Sequence, residues 1–322
     1  MSVSERVNDS VNDSVKGSVN MAAPLTSQAT RSGLPKVGFI GAGRLGKALA
    51  WSLAGVGVPV LAVANPVEAD ARALASRIEG CQVVTAQEVA DRCDLVFVVT
   101  PDGVIEAATQ ALRWRAGMGV VHCSGATEVS ALNKAREDGA LTGGFHPMQT
   151  FGDPMAAVAS LPGSTITIEA PEALDGLLGD LARRLGCHVN RLPPGMRGRY
   201  HAAAGFTSQF INALFDQAAQ VWASWGATPE DTMRALMPLA RGTLASIESA
   251  GIAAGMPGPV SRGDLQSVDK HLASLAPLGP EMMAFYRLMC GQTIPLAQAC
   301  GGIDAATAAR FRQALALPTT AV

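Results

Sequence analysis

Six residues, Gly41-Ala42-Gly43-Arg44-Leu45-Gly46, constrain this 322-residue chain more than any other feature. The apolar run KVGFI, Lys36 to Ile40, precedes them and reads as a buried strand. KALAWSLAGVG follows and reads as a helix ending in glycines. A GxGxxG pattern alone is weak. One that closes a strand and opens a helix is a dinucleotide-binding fingerprint. Gly41 allows the tight turn, Gly43 lets a pyrophosphate approach the backbone, and Gly46 lets the helix pack on the sheet. Arg44 and Leu45 start a helix whose free N–H groups then face the phosphates. A tight turn that holds no ligand is the plain alternative.

The alternation continues. VPVLAVAN, CQVVT, DLVFVVTPD, MGVVHCSGA, LTGGFHPMQT, STITIEA and CHVNRL read as strands, with helical stretches between most of them. This pattern predicts an α/β, doubly wound, mainly parallel sheet over residues 34–196. The Pro/Gly-rich segment Leu192 to Gly198 marks a boundary. A helical domain is expected over 197–318. Ala203, Phe210, Leu214, Ala218, Val221 and Trp225 form an apolar stripe that predicts one long helix from Tyr200 to Trp225. Thr228, Asp264 and Asp304 sit where N-caps open further helices, and Pro238 is expected to kink one of them. Residues 1–33 begin with a polar mini-repeat of Ser, Val, Asn and Asp and are assigned to a disordered extension.

Composition excludes several classes of function. Lys and Arg number 25 against 27 Asp and Glu, for a net charge of −2. A nucleic-acid binder normally shows a basic excess or stripe. No apolar run reaches the ~18 residues a membrane helix needs. Charged residues make up 16% of the chain and hydrophobic ones 48%, which predicts burial beyond a single core. A homodimer built through the helical domain is the expected outlet. The six cysteines, Cys81, Cys93, Cys123, Cys187, Cys290 and Cys300, form no CxxC pair. They suit free thiols in a reducing cytoplasm, and no metal site is assigned.

In open α/β sheets, ligands sit beyond the carboxyl ends of the strands. Three polar clusters fall there: Thr100-Pro101-Asp102, His122 to Ala126, and His146 to Thr150. Asn65, Thr100 and Pro101 join the glycine turn as cofactor-binding candidates. An acid ~20 residues after the glycines would hold a ribose 2′-OH. Ala64-Asn65-Pro66 stands there instead, which favours NADP (as NADPH) over NAD. Arg44 either supports the extra phosphate or is a solvated loop residue. His146 and Ser124 form the leading catalytic pair, because histidine is the usual proton donor near neutral pH. His122 reads equally well as a satisfied core histidine. His201 opens the long helix, with Ser208 and Asn212 within about 20° of its direction. That edge is either the wall of a site or a solvated face. Arg262 is a candidate grip for a substrate carboxylate.

Together, GAGRLG, HCSGA, FHPMQTF, YHAAA, GPVSRGD and DKHLASL span about residues 35 to 315. They resemble the Rossmann-like oxidoreductases whose C-terminal part is a domain of unknown function. The resemblance implies a Rossmann sheet followed by a dimerisation domain like that at the C-terminus of 6-phosphogluconate dehydrogenase. The architecture is similar to pyrroline-5-carboxylate reductase, ketopantoate reductase and deazaflavin-dependent NADP oxidoreductase. Prephenate dehydrogenases carry a similar Ser and an HPM-like His beside the nicotinamide, a resemblance that carries onto Ser124 and His146. Ketopantoate reductases place a Lys at the start of the long helix, with Asn one and two turns later. The matching positions here are His201, Gly205 and Gln209. The expectation is an NADP-dependent oxidoreductase that transfers hydride between the nicotinamide and a C=O or C=N carbon of a small carboxylated metabolite. A ketopantoate-type 2-oxo acid reductase and a non-catalytic NADP-binding sensor or scaffold are the alternatives.

Overall fold

A computed structural model describes residues 33–316. Apart from Gly33, the extension assigned to residues 1–33 lies outside the described residues, as do the last two residues expected in the helical domain.

The glycine turn follows β1 (Val37–Ile40) and opens α1 (Arg44–Gly55). Seven further strands follow: β2 (Val60–Ala64), β3 (Gln82–Val83), β4 (Leu95–Val98), β5 (Gly119–His122), β6 (Leu141–Pro147), β7 (Thr165–Glu169) and β8 (His188–Arg191). They form one sheet in the order β3-β2-β1-β4-β5-β6-β7-β8. Strands β1 to β6 pair in parallel, β7 runs antiparallel to β6, and β8 runs parallel to β7. The order reverses between β1 and β4, and a crevice opens at such a switch point.

Both faces of the sheet are covered, so its strands read as continuous apolar runs. Phe39, Phe97 and Phe145 meet on one face, at centroid distances of 5.3 and 5.4 Å. Helix α7 (Glu172–Arg184) adds Leu174, Leu178 and Leu181 to that core. Val96, Val98 and Val120 point to the other face, where α3 (Ala86–Arg92) contributes Val89.

The helical half begins with α8 (Arg197–Phe206) and α9 (Gln209–Ala223). The single helix expected from Tyr200 to Trp225 is therefore two. Ser208 takes φ −127° and ψ −91°, outside the helical region. Its hydroxyl donates back to the Ala204 carbonyl, a local bond that competes with the helix ladder. The break removes the shared polar edge drawn from His201 through Ser208 to Asn212. Helix α10 (Pro229–Ala250) runs through Pro238, and Thr228 caps it by accepting from the Asp231 N–H. Asp264 and Asp304 likewise cap α11 (Leu265–Leu275) and α13 (Ala305–Ala314). With α12 (Pro280–Ala299), these two form a small core around Val268, Ile294 and Phe311. Met282 is buried, whereas Met289 is exposed.

Candidate functional site

The first half of the site is the turn between β1 and α1. Gly41 has φ +109°, and a Cβ there would stand 2.7 Å from the Val99 carbonyl oxygen. At Gly46 a Cβ would stand 2.9 Å from a Val99 methyl, so helix and strand approach only as glycine permits. Nothing lies within 4 Å of a Cβ built on Gly43, which leaves its backbone open to a ligand. No side chain caps α1, so its first N–H groups are free for an anion. Arg44 is exposed on the first turn, and Leu45 packs toward the core.

A cavity of about 490 Å³ adjoins the turn, lined by Gly41, Asn65, Pro66, Thr85 and Thr100 among others. Thr100 Oγ1 is buried there without a hydrogen-bond partner. Pro101 is exposed beside it. Asn65 is already engaged. Its Oδ1 accepts the Ala42 N–H at 3.0 Å, and its Nδ2 donates to the Val67 carbonyl at 2.9 Å. It therefore pins the glycine turn, with one Nδ2 hydrogen and one Oδ1 lone pair left over. Glu68, the first acid after β2, is paired to Arg72 at 2.6 Å. The open glycine backbone, the uncapped helix and the orphaned Thr100 hydroxyl fit a dinucleotide.

The second half lies at the ends of β5 and β6. His146 Nδ1 is 2.7 Å from the Tyr200 hydroxyl, and its ring centroid is 6.3 Å from that of His201. A Cβ on Gly125 would stand 2.7 Å from the His201 ring and 2.9 Å from His146 Nε2. Gly125 thus makes room for both histidines. His201 itself is exposed on α8. Burial, then the neighbouring His201 and the Arg197 guanidinium, push the His146 pKa down to about 4, so the ring is neutral at pH 7. His122 is fully buried, and neither ring nitrogen has a partner. Burial and then Arg197 push its pKa down to about 3. Burial pushes the Cys123 thiol up, which leaves it an inert packing group.

Ser124 is close by, but its hydroxyl serves its own turn. Oγ accepts the N–H groups of Ala126 and Thr127 and donates to Thr127 Oγ1. Arg262 ends a short 3₁₀ turn, Val260–Arg262, packed against α12. It is exposed, and among the described residues no hydrogen bond or ion pair joins it to Ser124 or His146.

Arg197 and Tyr200 escape sequence reasoning. Arg197 is completely buried. Its Nε donates to Glu169 at 2.6 Å and its Nη1 to the Ser124 carbonyl at 2.7 Å. It ties the first residue of α8 to β7 and to the turn after β5. A Cβ on Gly144 would stand inside its guanidinium. The available signal was the Gly143-Gly144 pair within a strand, which marks close approach by another group.

Sheet order, glycine turn and helical half together define a chain of the Rossmann-like class. Residues 21–147 match a Rossmann-like domain, and residues 164–293 match the domain of unknown function DUF2520. The chain is thus a Rossmann-like domain followed by DUF2520, whose match begins before β7, where the sheet changes direction. No curated protein matches the chain. Among solved structures, protein TM1727 from Thermotoga maritima is similar at TM-score 0.68 and 20% identity, over 82% of this chain and 99% of its own. A Bacteroides fragilis protein named as an NADP oxidoreductase is similar at TM-score 0.63 and 25% identity, over 81% and 98%. Pyrroline carboxylate reductase from Plasmodium falciparum, solved with NADP bound, shares the fold at TM-score 0.53 and 12% identity, over 82% and 98%.

Proposed function

We propose that the protein is an NADP-dependent oxidoreductase acting on a C=O or C=N carbon of a small carboxylated metabolite. The observation that carries the reading is the open glycine turn, whose cavity holds the orphaned Thr100 hydroxyl. The 25% identity to the Bacteroides fragilis protein supports it.

A bound nicotinamide cofactor would supply or accept the hydride. Gly41, Gly43 and Gly46, with the N-terminus of α1, hold its pyrophosphate, and Thr100 lines the nucleotide cavity. Asn65 holds the turn in shape. No carboxylate stands at the end of β2 to repel a 2′-phosphate, which supports NADP over NAD. His146 is the proton donor. Hydride addition leaves negative charge on oxygen or nitrogen, and the neutral imidazole offers an N–H to it from Nε2. His201 borders the same opening and helps to exclude water. Ser124 shapes the turn on which Gly125 sits.

A second copy of the chain completes the assembly. Phe206, Phe210, Leu214, Leu239 and Leu244 lie exposed along α8, α9 and α10, where a monomer would leave them in water.

The test is a fluorescence titration with NADPH and NADH side by side, then a screen of 2-oxo acids and cyclic imines. Selective NADPH binding with stereospecific hydride transfer is expected. His146→Asn should lower turnover by about 100-fold or more and leave NADPH affinity unchanged. Failure of both nucleotides to bind would overturn the reading.

A further inference from the structure

The turn after β5 spends its backbone N–H groups unevenly. The Cys123 N–H donates to the Val98 carbonyl at 3.3 Å, which extends the ladder to β4. The N–H groups of Ala126 and Thr127 both donate to Ser124 Oγ. Between them, the N–H groups of Ser124 and Gly125 find no acceptor among the described residues. Both residues are buried. A buried backbone N–H is rarely left without a partner. Water or a ligand is what remains to take these two.

The Gly125 N–H differs from its neighbour in what stands at the far end of its peptide. The Ser124 carbonyl belongs to the same planar unit, and it accepts from Arg197 Nη1 at 2.7 Å. The peptide is trans, so the Gly125 N–H points away from Arg197. A cation at the carbonyl oxygen draws electron density from the nitrogen and strengthens its N–H as a donor. Arg197 is completely buried, so little solvent screens the effect. The Gly125 Cα faces both histidines. The Cβ position on it is 2.9 Å from His146 Nε2 and 2.7 Å from the His201 ring. The strengthened donor and His146 Nε2 thus border one opening.

We propose that the Gly125 N–H, polarised through its peptide by Arg197, joins His146 as the second donor to the reacting atom, and that the site therefore takes a carbonyl oxygen rather than an imine nitrogen. The inference deepens the oxidoreductase reading and rests on it. A carbonyl oxygen has two lone pairs and accepts from two donors. An imine nitrogen has one lone pair, and a protonated imine has none. Hydride addition from NADPH to a carbonyl carbon forms the C–H bond and moves the C=O π pair onto oxygen. The Gly125 N–H stabilises that charge as it develops. The oxygen then takes the His146 Nε2 proton, and water resupplies the ring. Arg197 touches no substrate and is a positioning residue.

The first arm of the test compares two substrate classes with NADPH: pyruvate and phenylpyruvate against pyrroline and piperideine carboxylates. The best carbonyl compound should exceed the best imine by about 100-fold or more in kcat/KM. Faster reduction of an imine than of any carbonyl compound overturns the proposal. Turnover of neither class refutes the oxidoreductase reading, and the proposal with it. The second arm needs no turnover. The chain has two Ser–Gly peptides, Ser32–Gly33 and Ser124–Gly125. Full-length protein made by cell-free synthesis with carbonyl-¹³C serine and ¹⁵N-glycine therefore gives two HNCO signals. Oxidised NADP and the carbonyl compound reduced fastest, added together, should move the Gly125 N–H signal downfield and leave Gly33 in place. An unmoved Gly125 signal overturns the proposal. Arg197→Lys keeps a positive charge for Glu169 and loses the second branch of the fork. In the free variant the Gly125 signal should lie upfield of wild type. Its kcat should fall about 10-fold with KM within about twofold. A Gly125 signal at its wild-type position removes Arg197 from the proposal. The wild-type arms decide the proposal whether or not this variant folds.

Discussion

Gly144 has no side chain because the guanidinium of Arg197 occupies the place where its Cβ would stand. Arg197 is paired to Glu169 at 2.6 Å inside the protein, and displacing one partner leaves a buried charge uncompensated. Gly144→Ala is therefore expected to cost about 3 kcal/mol or more, read as a lower urea midpoint. The same guanidinium acts on two neutral histidines. His122 and His146 have pKa values near 3 and 4 in the folded chain, against 6.5 for an unperturbed ring. Between about pH 6.5 and 4 the unfolded chain binds protons that the folded chain refuses, so stability falls as pH falls. Urea melts from pH 7 to 4.5 should show a loss on the order of a few kcal/mol. The slope should be shallower in His122→Asn, which carries no titrating ring. At this scale the sequence named His146, His201 and the three glycines. It named Asn65 and Ser124 as well, but not that the Asn65 amide holds the turn or that the Ser124 hydroxyl closes a local loop.

The turn from β1 to α1 is the element on which cofactor binding depends. At Gly41 an alanine would meet both a left-handed φ and the Val99 carbonyl. Gly41→Ala is expected to lower NADPH affinity by about 10-fold or more, which titration of a variant still folded by circular dichroism will check. Local elements were legible for a physical reason. Strand alternation, glycine turns and caps are written in residues a few positions apart, and the caps at Thr228, Asp264 and Asp304 all form as read. The break between α8 and α9 was not legible. The apolar stripe continues across it, and periodicity carries no mark of a single residue that leaves the helical region.

At the scale of the whole molecule, α9 and α10 stand outside the core formed by α11, α12 and α13. A groove of about 470 Å³ runs between α9 and the pair α11–α12, lined by Leu214, Val221, Trp222, Phe285 and Met289 among others. Leu239 and Leu244 on α10 are 64% and 57% exposed. This surface is the reason for proposing a second copy. Sedimentation should give a dimer, and Leu239→Asp with Leu244→Asp should shift it to monomer with the Rossmann-like half still binding NADPH. A wild-type monomer across a concentration series would count against it. None of the described helices is long and apolar enough to cross a membrane, and the described residues hold no cluster of metal-ligating side chains.

By itself the sequence determined what depends on neighbours along the chain: eight strands, the glycine turn, the caps, and the change to helix near Arg197. Tertiary structure alone decided what lies around His146. Tyr200 is 54 residues from it, and Arg197 is 73 residues from the Ser124 carbonyl it holds. Those partners meet because α8 enters over the edge of the sheet at one angle and register. Hydrophobic period and turn chemistry do not encode that placement, whereas the packing of Arg197 against Gly144 does.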